Sequence, residues 1–486
     1  MRLQDLLYKV NILKIVGATN LTISEVQFDS RRIQKKDLFV AIKGLESDGH
    51  EYIQSSIEAG AIAIIVERMP IQLHNKITYV QVQNSYDALG MIAANFYKNP
   101  SDKISLLGVT GTNGKTTIVN LLSQLFGLLN KKTGMISTIE NKILDKVIPS
   151  THTTPNPLHL NRLLNEMIES GCEYCFMEVS SHALSQGRVE GLCFKAGVFT
   201  NITQDHLDYH DTFSKYRDVK KSFFDKLDKD AFALTNKDDK NGSKMLEGTK
   251  AKKLSYALKS LADYNCKVLE NHFEGMLLHV NKVDVWVKLI GEFNAYNILA
   301  VYAVAKQFGL QDYEVLTALS VLTAPEGRFQ FITNEDSVIG IVDYAHTDDA
   351  LKSTLSTINN IRISTQKLIS IVGCGGGRDK TKRPLMAQAA CNLSTQVIIT
   401  TDNPRFENPE DIIEDMIFGL DPKQKKKILV ITDRREAIMT AGKLAGESDI
   451  ILLAGKGHEK YQEINGKKFP FDDMKELKRS LNIILK

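Results

Sequence analysis

Short apolar runs alternate with helical stretches along the chain. Near the N-terminus the runs are residues 38–42, 61–66 and 78–82, which predicts a small α/β domain over residues 1–99. Lys98-Asn99-Pro100-Ser101 marks its end, because a proline disfavours helix at the residue before it. A new pattern begins at Ile104: an apolar strand over 104–109, a Gly-rich loop, then a helical stretch to about residue 130. Further apolar strands are expected at 174–179, 196–199 and 231–234. Strands alternating with helices imply a mostly parallel, helix-covered sheet, hence a central α/β domain over 100–328, which the Gly-rich loop between strand and helix would make a mononucleotide-binding one. A second break falls at Pro325-Glu326-Gly327-Arg328. Beyond it, strands at 368–372, 397–400, 428–431 and 450–453 predict a C-terminal Rossmann-like α/β domain over 329–486.

Composition adds bounds. A chain of 486 residues accommodates three domains of roughly 100–200 residues each. A net charge of +3 argues against a nucleic-acid partner, so anions must be bound by local sites. Met1-Arg2-Leu3-Gln4-Asp5 has an early acidic residue and no apolar core of a signal peptide, and no run reaches the ~18 apolar residues of a membrane span. A cytoplasmic protein without membrane insertion is expected. The six cysteines are scattered, which fits a reducing compartment. Cys172 and Cys175 form a lone CxxC with no second pair, a weak case for a metal or redox site.

The strongest local motif is Gly108-Val109-Thr110-Gly111-Thr112-Asn113-Gly114-Lys115-Thr116-Thr117. It lies between an apolar strand and a helix, the context of a phosphate loop. Glycines let backbone N–H groups turn toward phosphate, and the helix N-terminus adds a favourable dipole. Lys115 would neutralise the β/γ-phosphates and Thr116 would offer a hydroxyl to Mg²⁺. The general GxxxxGK[ST] pattern has a glycine where Val109 stands, so the loop is a GTNGKTT variant. The loop alone does not separate kinase, GTPase, motor and ligase. Asn236-Lys237-Asp238-Asp239 fits a guanine-reading NKxD, but no DxxG lies between Thr117 and Asn236, and a polar turn is the better reading. Glu178 closes an apolar strand, where parallel sheets place ligands. His206 lies between Asp205 and Asp208 in a polar loop. A carboxylate and an imidazole near a phosphate loop suggest a second divalent ion.

Four more segments follow in order. They are Met177-Glu178-Val179-Ser180-Ser181-His182-Ala183-Leu184 with Gln186, Arg188 and Val189; Phe199-Thr200-Asn201-Ile202-Thr203-Gln204-Asp205-His206-Leu207-Asp208-Tyr209-His210; Gly291-Glu292-Phe293-Asn294-Ala295-Tyr296-Asn297; and Asp343-Tyr344-Ala345-His346-Thr347. With the GTNGKTT loop they resemble the Mur ligase family, from about residue 28 to 462. The resemblance implies ATP as co-substrate and Mg²⁺ as cofactor. It implies ATP contacts at Gly111, Thr112, Asn113, Gly114, Lys115, Thr116, Thr117, Asn294, Asn297, Arg328 and Asp343. It implies catalytic roles for Lys115, Glu178, His206 and Lys220, with Thr116, Glu178, His206 and a carbamylated Lys220 as metal ligands. Lys220 alone reads as a solvated helix lysine; the family carries its modified lysine four residues after a tyrosine, and counting from Tyr216 selects Lys220 over Lys221. Carbamylation turns a cation into an oxygen ligand and needs a neutral amine. Asn294 and Asn297 share one face if their segment is helical. The family's Thr-Pro-Asp is Thr347-Asp348-Asp349 here, which removes a rigid residue from that loop.

Substrate choice rests on further segments. Asp29-Ser30-Arg31, Asp37-Leu38-Phe39-Val40-Ala41 and Gly44-Leu45-Glu46-Ser47-Asp48-Gly49-His50 read by themselves as turns between strands, and resemble the family's uridine-diphosphate pocket, with Ser30 a contact. Thr153-Thr154-Pro155 resembles its muramoyl-peptide contact, with Asn156 where the family has aspartate; Ser180, Gln186 and Arg188 complete that set. Gly373-Cys374-Gly375-Gly376-Gly377-Arg378 is not a dinucleotide fingerprint, since Arg378 replaces the third glycine. Asp402-Asn403-Pro404-Arg405 and Gly455-Lys456-Gly457-His458-Glu459 resemble the members that add meso-diaminopimelate. That amino acid has a second α-amino acid head, whose carboxylate Arg405 and Arg378 would hold while Glu459 takes the ammonium. The implied binding set is Arg378, Asp402, Asn403, Pro404, Arg405, Gly455 and Glu459.

The function expected is ATP-dependent addition of meso-diaminopimelate to UDP-N-acetylmuramoyl-L-alanyl-D-glutamate, through an acyl phosphate, by a monomer. The alternatives are lysine addition at the same step, the neighbouring family step that adds a dipeptide, a P-loop small-molecule kinase, and a non-catalytic nucleotide-binding scaffold. Folylpolyglutamate synthetase shares the architecture but should lack the uridine-pocket segments.

Overall fold

A computed structural model describes residues 1–44 and 47–483. Leu45 and Glu46, expected in the uridine pocket, lie outside the described residues.

Each of three sheets is drawn from one stretch of chain. The first orders its strands Ile12–Val16, Thr78–Val82, Ala63–Val66, Leu38–Val40 and Val26–Gln27. Its first pair is antiparallel and the others parallel. The third runs Gln330–Thr333, Ile339–Asp343, Ile450–Ala454, Leu368–Val372, Gln396–Ile399 and Ile428–Val430, again with one antiparallel pair at its edge. The apolar runs thus became strands, most within a residue or two of their expected bounds.

The central sheet has eleven strands. Seven form a parallel block, in the order Tyr264–His272, Lys252–Ala257, Phe232–Asn236, Ala196–Phe199, Ser105–Thr110, Tyr174–Glu178, Thr133–Ile136. Antiparallel additions extend both edges: Gly275–Val280 with Val283–Val287, and Glu140–Ile143 with Lys146–Pro149. The expected strands omitted these edges and, within the parallel block, Thr133–Ile136, Lys252–Ala257 and Tyr264–His272. Val283–Val287 and Lys146–Pro149 are largely exposed, so polar residues interrupt any apolar run. The hairpin Tyr461–Ile464 with Lys467–Pro470 was missed for the same reason.

The sheet order positions the site. Ser105–Thr110 lies between Tyr174–Glu178 and Ala196–Phe199, so three carboxyl ends deliver the phosphate loop, Glu178 and the Thr200-Asn201 turn side by side. The helix Lys115–Leu128 buries Ile118, Leu121, Leu122 and Leu125, an i, i+3, i+4, i+7 stripe, against the sheet and the helix Glu292–Gln307. Val109 sits in the buried strand rather than the loop, which begins at Gly111. There φ is +150°, and a Cβ would lie 1.9 Å from Thr200 Oγ1, so only glycine lets the loop approach that turn.

Candidate active site

Lys115 opens its helix, and its Nζ donates to the carbonyls of Gly111 at 2.9 Å and Thr112 at 2.8 Å. Burial lowers the pKa of this ammonium, opposed by Glu178 and Asp205. Thr116 Oγ1 accepts a 3.1 Å bond from Arg328, whose guanidinium lies 4.4 Å from the centre of the Tyr344 ring. Arg328 therefore reaches from the loop before the third sheet to the start of the helix that follows the phosphate loop.

Glu178 is fully buried. Its Oε1 accepts from Thr138 N at 2.7 Å, whereas Oε2 has no partner among the described residues. His206 stands in the left-handed region at φ +53°, and burial pushes its imidazole down to about 3, so it is neutral. Burial alone would raise the Asp205 carboxyl, but the Lys382 ammonium and the backbone N–H of His206, donating to Oδ1 at 2.9 Å, hold it below the usual range. An orphaned carboxylate oxygen, a neutral imidazole and the Thr116 hydroxyl fit a divalent cation by donor chemistry. Among the described residues no three His, Cys, Asp or Glu side chains gather as a metal set. A cation here would draw on the hydroxyl and on substrate oxygens.

Lys220 is 1% exposed and donates to Gly111 O at 2.9 Å. Burial and the neighbouring Lys115 drive its pKa well down. It sits behind the phosphate loop, not on the cavity wall, with its Nζ on a backbone carbonyl.

A cavity of about 430 Å³ brings most of the expected residues together. Its wall includes Thr112, Asn113, Gly114, Lys115, Thr116 and Thr117 of the loop, and Glu178 and His206 beside it. Thr153, Thr154, Ser180 and Arg188 form one flank; Arg378, Asp402, Asn403, Arg405, Gly455 and Glu459 form the other. Arg188 is fixed by Thr154 O at 2.7 Å and by two bonds to Gln186 Oε1. Arg188 and His152 also line a second cavity of about 900 Å³, walled by Ser30, Phe28, Tyr52, Tyr86 and Gln186, so the two spaces adjoin. A third cleft of about 260 Å³ holds Asn294, Asn297, Asp343 and the Phe293 ring next to Gly114. Asn294 and Asn297 do share one helix face, with Asn297 Nδ2 donating to Asn294 Oδ1 at 3.0 Å.

Several expected residues also have structural partners. Pro404 lines none of these three cavities; its carbonyl closes the turn behind Gly376, where a Cβ would meet it at 2.0 Å. Asp37 lies outside the wall of the 900 Å³ cavity and accepts from Glu25 N and Gln34 N, so it is a backbone clasp. Asp343 binds Phe329 N at 2.8 Å and Thr354 Oγ1 at 3.1 Å, holding the start of the third sheet. Asp238 accepts three backbone N–H bonds from residues 258–260, the polar turn expected there. The missing family proline costs no order: Thr347 caps the helix Asp348–Ile361 through Ala350 N.

Sequence reasoning overlooked Asp205, His346 and Lys382, which meet across two sheets at the cavity wall. His346 and Asp205 stood inside the quoted segments, but one chain cannot show that they converge. It also overlooked the support of Arg405. That residue holds φ +53°, with its N–H on Glu463 O at 3.0 Å and its carbonyl on Asn465 N at 2.6 Å, clamped by the missed hairpin.

Sequence profiles agree with this architecture. The Mur ligase family catalytic domain profile matches residues 22–97, the Mur ligase middle domain 109–305, and the glutamate ligase domain 327–457. A protein of Bacteroides fragilis named UDP-N-acetylmuramoyl-L-alanyl-D-glutamate--2,6-diaminopimelate ligase is 50% identical over 483 residues, 99% of this chain and 100% of its own.

The chain belongs to the Mur ligase family.

A Cytophaga hutchinsonii relative of the same name is 50% identical over 485 residues, spanning 100% of both chains. Among solved Mur ligases, a structure of that ligase aligns with TM-score 0.69 at 30% identity over 99% of each chain. The MurF ligase of Thermotoga maritima in complex with ADP shares the fold, with TM-score 0.60 at 20% identity over 96% of this chain and 98% of its own.

Proposed function

We propose that this Mur ligase joins meso-2,6-diaminopimelate to UDP-N-acetylmuramoyl-L-alanyl-D-glutamate with ATP hydrolysis, in peptidoglycan synthesis. The observation that carries the reading is one cavity in which the phosphate-loop lysine faces both the Thr154–Arg188 flank and the Arg405–Glu459 flank. Full-length relatives at 50% identity with that ligase name support it.

The nucleotide would lie in the cleft of Asn294, Asn297 and Phe293 with its phosphates on the loop. Lys115 would exchange its two loop carbonyls for phosphate oxygens, and Arg328 would close over the γ-phosphate beside Thr116. The UDP-sugar would occupy the 900 Å³ cavity around Ser30, and the peptide would pass Arg188 into the smaller one. The D-glutamyl carboxylate takes the γ-phosphoryl group as the β–γ bond breaks, leaving ADP and an acyl phosphate. The diaminopimelate amine then forms the C–N bond, phosphate leaves as the C–O bond breaks, and the proton lost from the amine nitrogen goes to the departing phosphate. Arg405 and Arg378 would hold the distal carboxylate, leaving the near amine toward the acyl carbon.

Bound Mg²⁺ would supply charge neutralisation at the phosphates. Thr116, Glu178 and His206 would hold it. Lys220 suits carbamylation, since its burial favours the neutral amine that attacks CO₂, forming an N–C bond and releasing a proton. The resulting carboxylate would supply an oxygen ligand for the ion. Among the described residues no helix is long and apolar enough to cross a membrane. We place the enzyme in the cytoplasm as a monomer, because its proposed substrates are soluble.

The test is incubation with ATP, Mg²⁺, the UDP-dipeptide and either meso-diaminopimelate or L-lysine, read by mass spectrometry. Diaminopimelate should give the tripeptide product, and lysine far less, because it leaves Arg378 and Arg405 unpaired. A preference for lysine would overturn the substrate assignment. ATP consumption without an amide product would favour the kinase reading.

A further inference from the structure

Lys456 has no place in the reaction as described, yet it is a fully buried cation at the floor of the amino-acid flank. Its Nζ donates to Asn403 Oδ1 at 2.9 Å and to Glu459 Oε2 at 3.3 Å, and lies 3.9 Å from Asp402 Oδ1. Glu459 Oε2 also accepts from Asn403 Nδ2 at 2.7 Å. Both bonds to Glu459 thus fall on Oε2, and among the described residues Oε1 accepts none. Asn403 Oδ1 is further fixed by Glu463 N at 2.9 Å, which joins this network to the hairpin that clamps Arg405.

The charges explain why a lysine is buried here. Asp402 and Glu459 face the same cavity, and two close carboxylates repel. Burial first and Asp402 second push the Glu459 carboxyl above its ordinary range, and Lys456 works against both. A buried ammonium with no anion would be very costly, whereas one shared by two carboxylates and an amide oxygen is satisfied.

We propose that Lys456 is a positioning residue for amino-acid specificity: by holding Glu459 Oε2 and Asn403 Oδ1, it presents the free Glu459 oxygen, beside Asp402, to the distal ammonium of the substrate. The inference rests on the diaminopimelate reading above. It divides recognition of the distal head into two devices. Arg378 and Arg405 read its carboxylate, and Lys456 sets up the group that reads its ammonium.

The experiment compares meso-diaminopimelate with 2-aminopimelate, the same chain without the distal amine. Wild-type enzyme should prefer diaminopimelate in kcat/KM. Lys456→Met, of similar length and uncharged, should lose about 10-fold or more of that preference, the factor for one charge-assisted hydrogen bond. Most of the loss should fall on diaminopimelate, and KM for ATP and the UDP-dipeptide should hold. A merely structural lysine would slow both amino acids alike, so an unchanged ratio in Lys456→Met overturns the proposal. If Lys456→Met does not fold, Lys456→Ala is assayed with and without propylammonium. Recovery of the ratio by the added amine supports positioning, and recovery of neither rate nor ratio overturns it. A wild-type enzyme that uses neither amino acid, or shows no preference for diaminopimelate, refutes the substrate reading itself, whatever the variants do.

Discussion

Lys220 and Lys221 are sequence neighbours with opposite surroundings. Lys221 reaches out to Asp225 at 2.7 Å, and Lys220 is sealed behind the phosphate loop. Helix geometry separates adjacent residues by about 100°, so one faces the core and the other solvent. The count from Tyr216 chose the inward one. Lys220→Ala should be nearly inactive in ATP-dependent phosphate release and partly restored by acetate, which can supply the missing oxygen ligand. Full activity of a folded Lys220→Ala protein would remove the carbamate from the mechanism. Arg405 is the second residue-scale test. Removing one side of a buried charge pair costs about 2–5 kcal/mol, so Arg405→Ala should reduce kcat/KM for diaminopimelate by roughly 30-fold or more. KM for ATP and the UDP-dipeptide should stay near wild type, because neither is read by this flank. Unchanged diaminopimelate use would contradict the role given to Asp402-Asn403-Pro404-Arg405.

At the scale of elements, the helix Asp348–Ile361 shows how one local device replaces another. Its Thr347 cap has φ −120° and ψ 158°, the extended conformation that a following proline requires. Asp348 is the first helical residue, where a missing N–H leaves no bond unmade. Acidic Asp348 and Asp349 in the first turn favour the helix through its dipole instead. Asp348→Pro should therefore fold normally, with stability within about 1 kcal/mol of wild type after losing the exposed Asp348–Lys352 pair. Thermal unfolding measures this, and a drop of many degrees would show that the loop depends on that aspartate. The hairpin over 461–470 carries the opposite lesson. Nothing in its half-polar sequence marks it as important, yet its backbone fixes the strained φ of Arg405.

Over the whole molecule, several partly buried histidines are held without charge. Burial holds His206 and His458 at about 3 and His346 at about 4. In the unfolded chain each returns to about 6.5. Below that value the unfolded state binds more protons than the folded one, so stability falls as pH drops from about 6.5 toward 4. Each such histidine contributes up to about 1.4 kcal/mol per pH unit in that window. Tm measured between pH 7.5 and 5 should decline with increasing steepness below 6.5. A flat profile would mean that these imidazoles are not kept neutral by the fold.

The sequence by itself determined many of the buried parallel strands, the phosphate loop and the family, because these depend on local apolar runs, glycines and short ordered motifs. Asn294 and Asn297 were readable too, since helical spacing alone puts them on one face. Only the tertiary structure decided that Asp205, His346 and Lys382 meet, that Glu178 keeps one oxygen unpartnered, and that Lys456 lies beneath Glu459 and not in solvent. Those facts depend on which carboxyl ends the sheets place side by side and on burial. No spacing along the chain encodes either one directly.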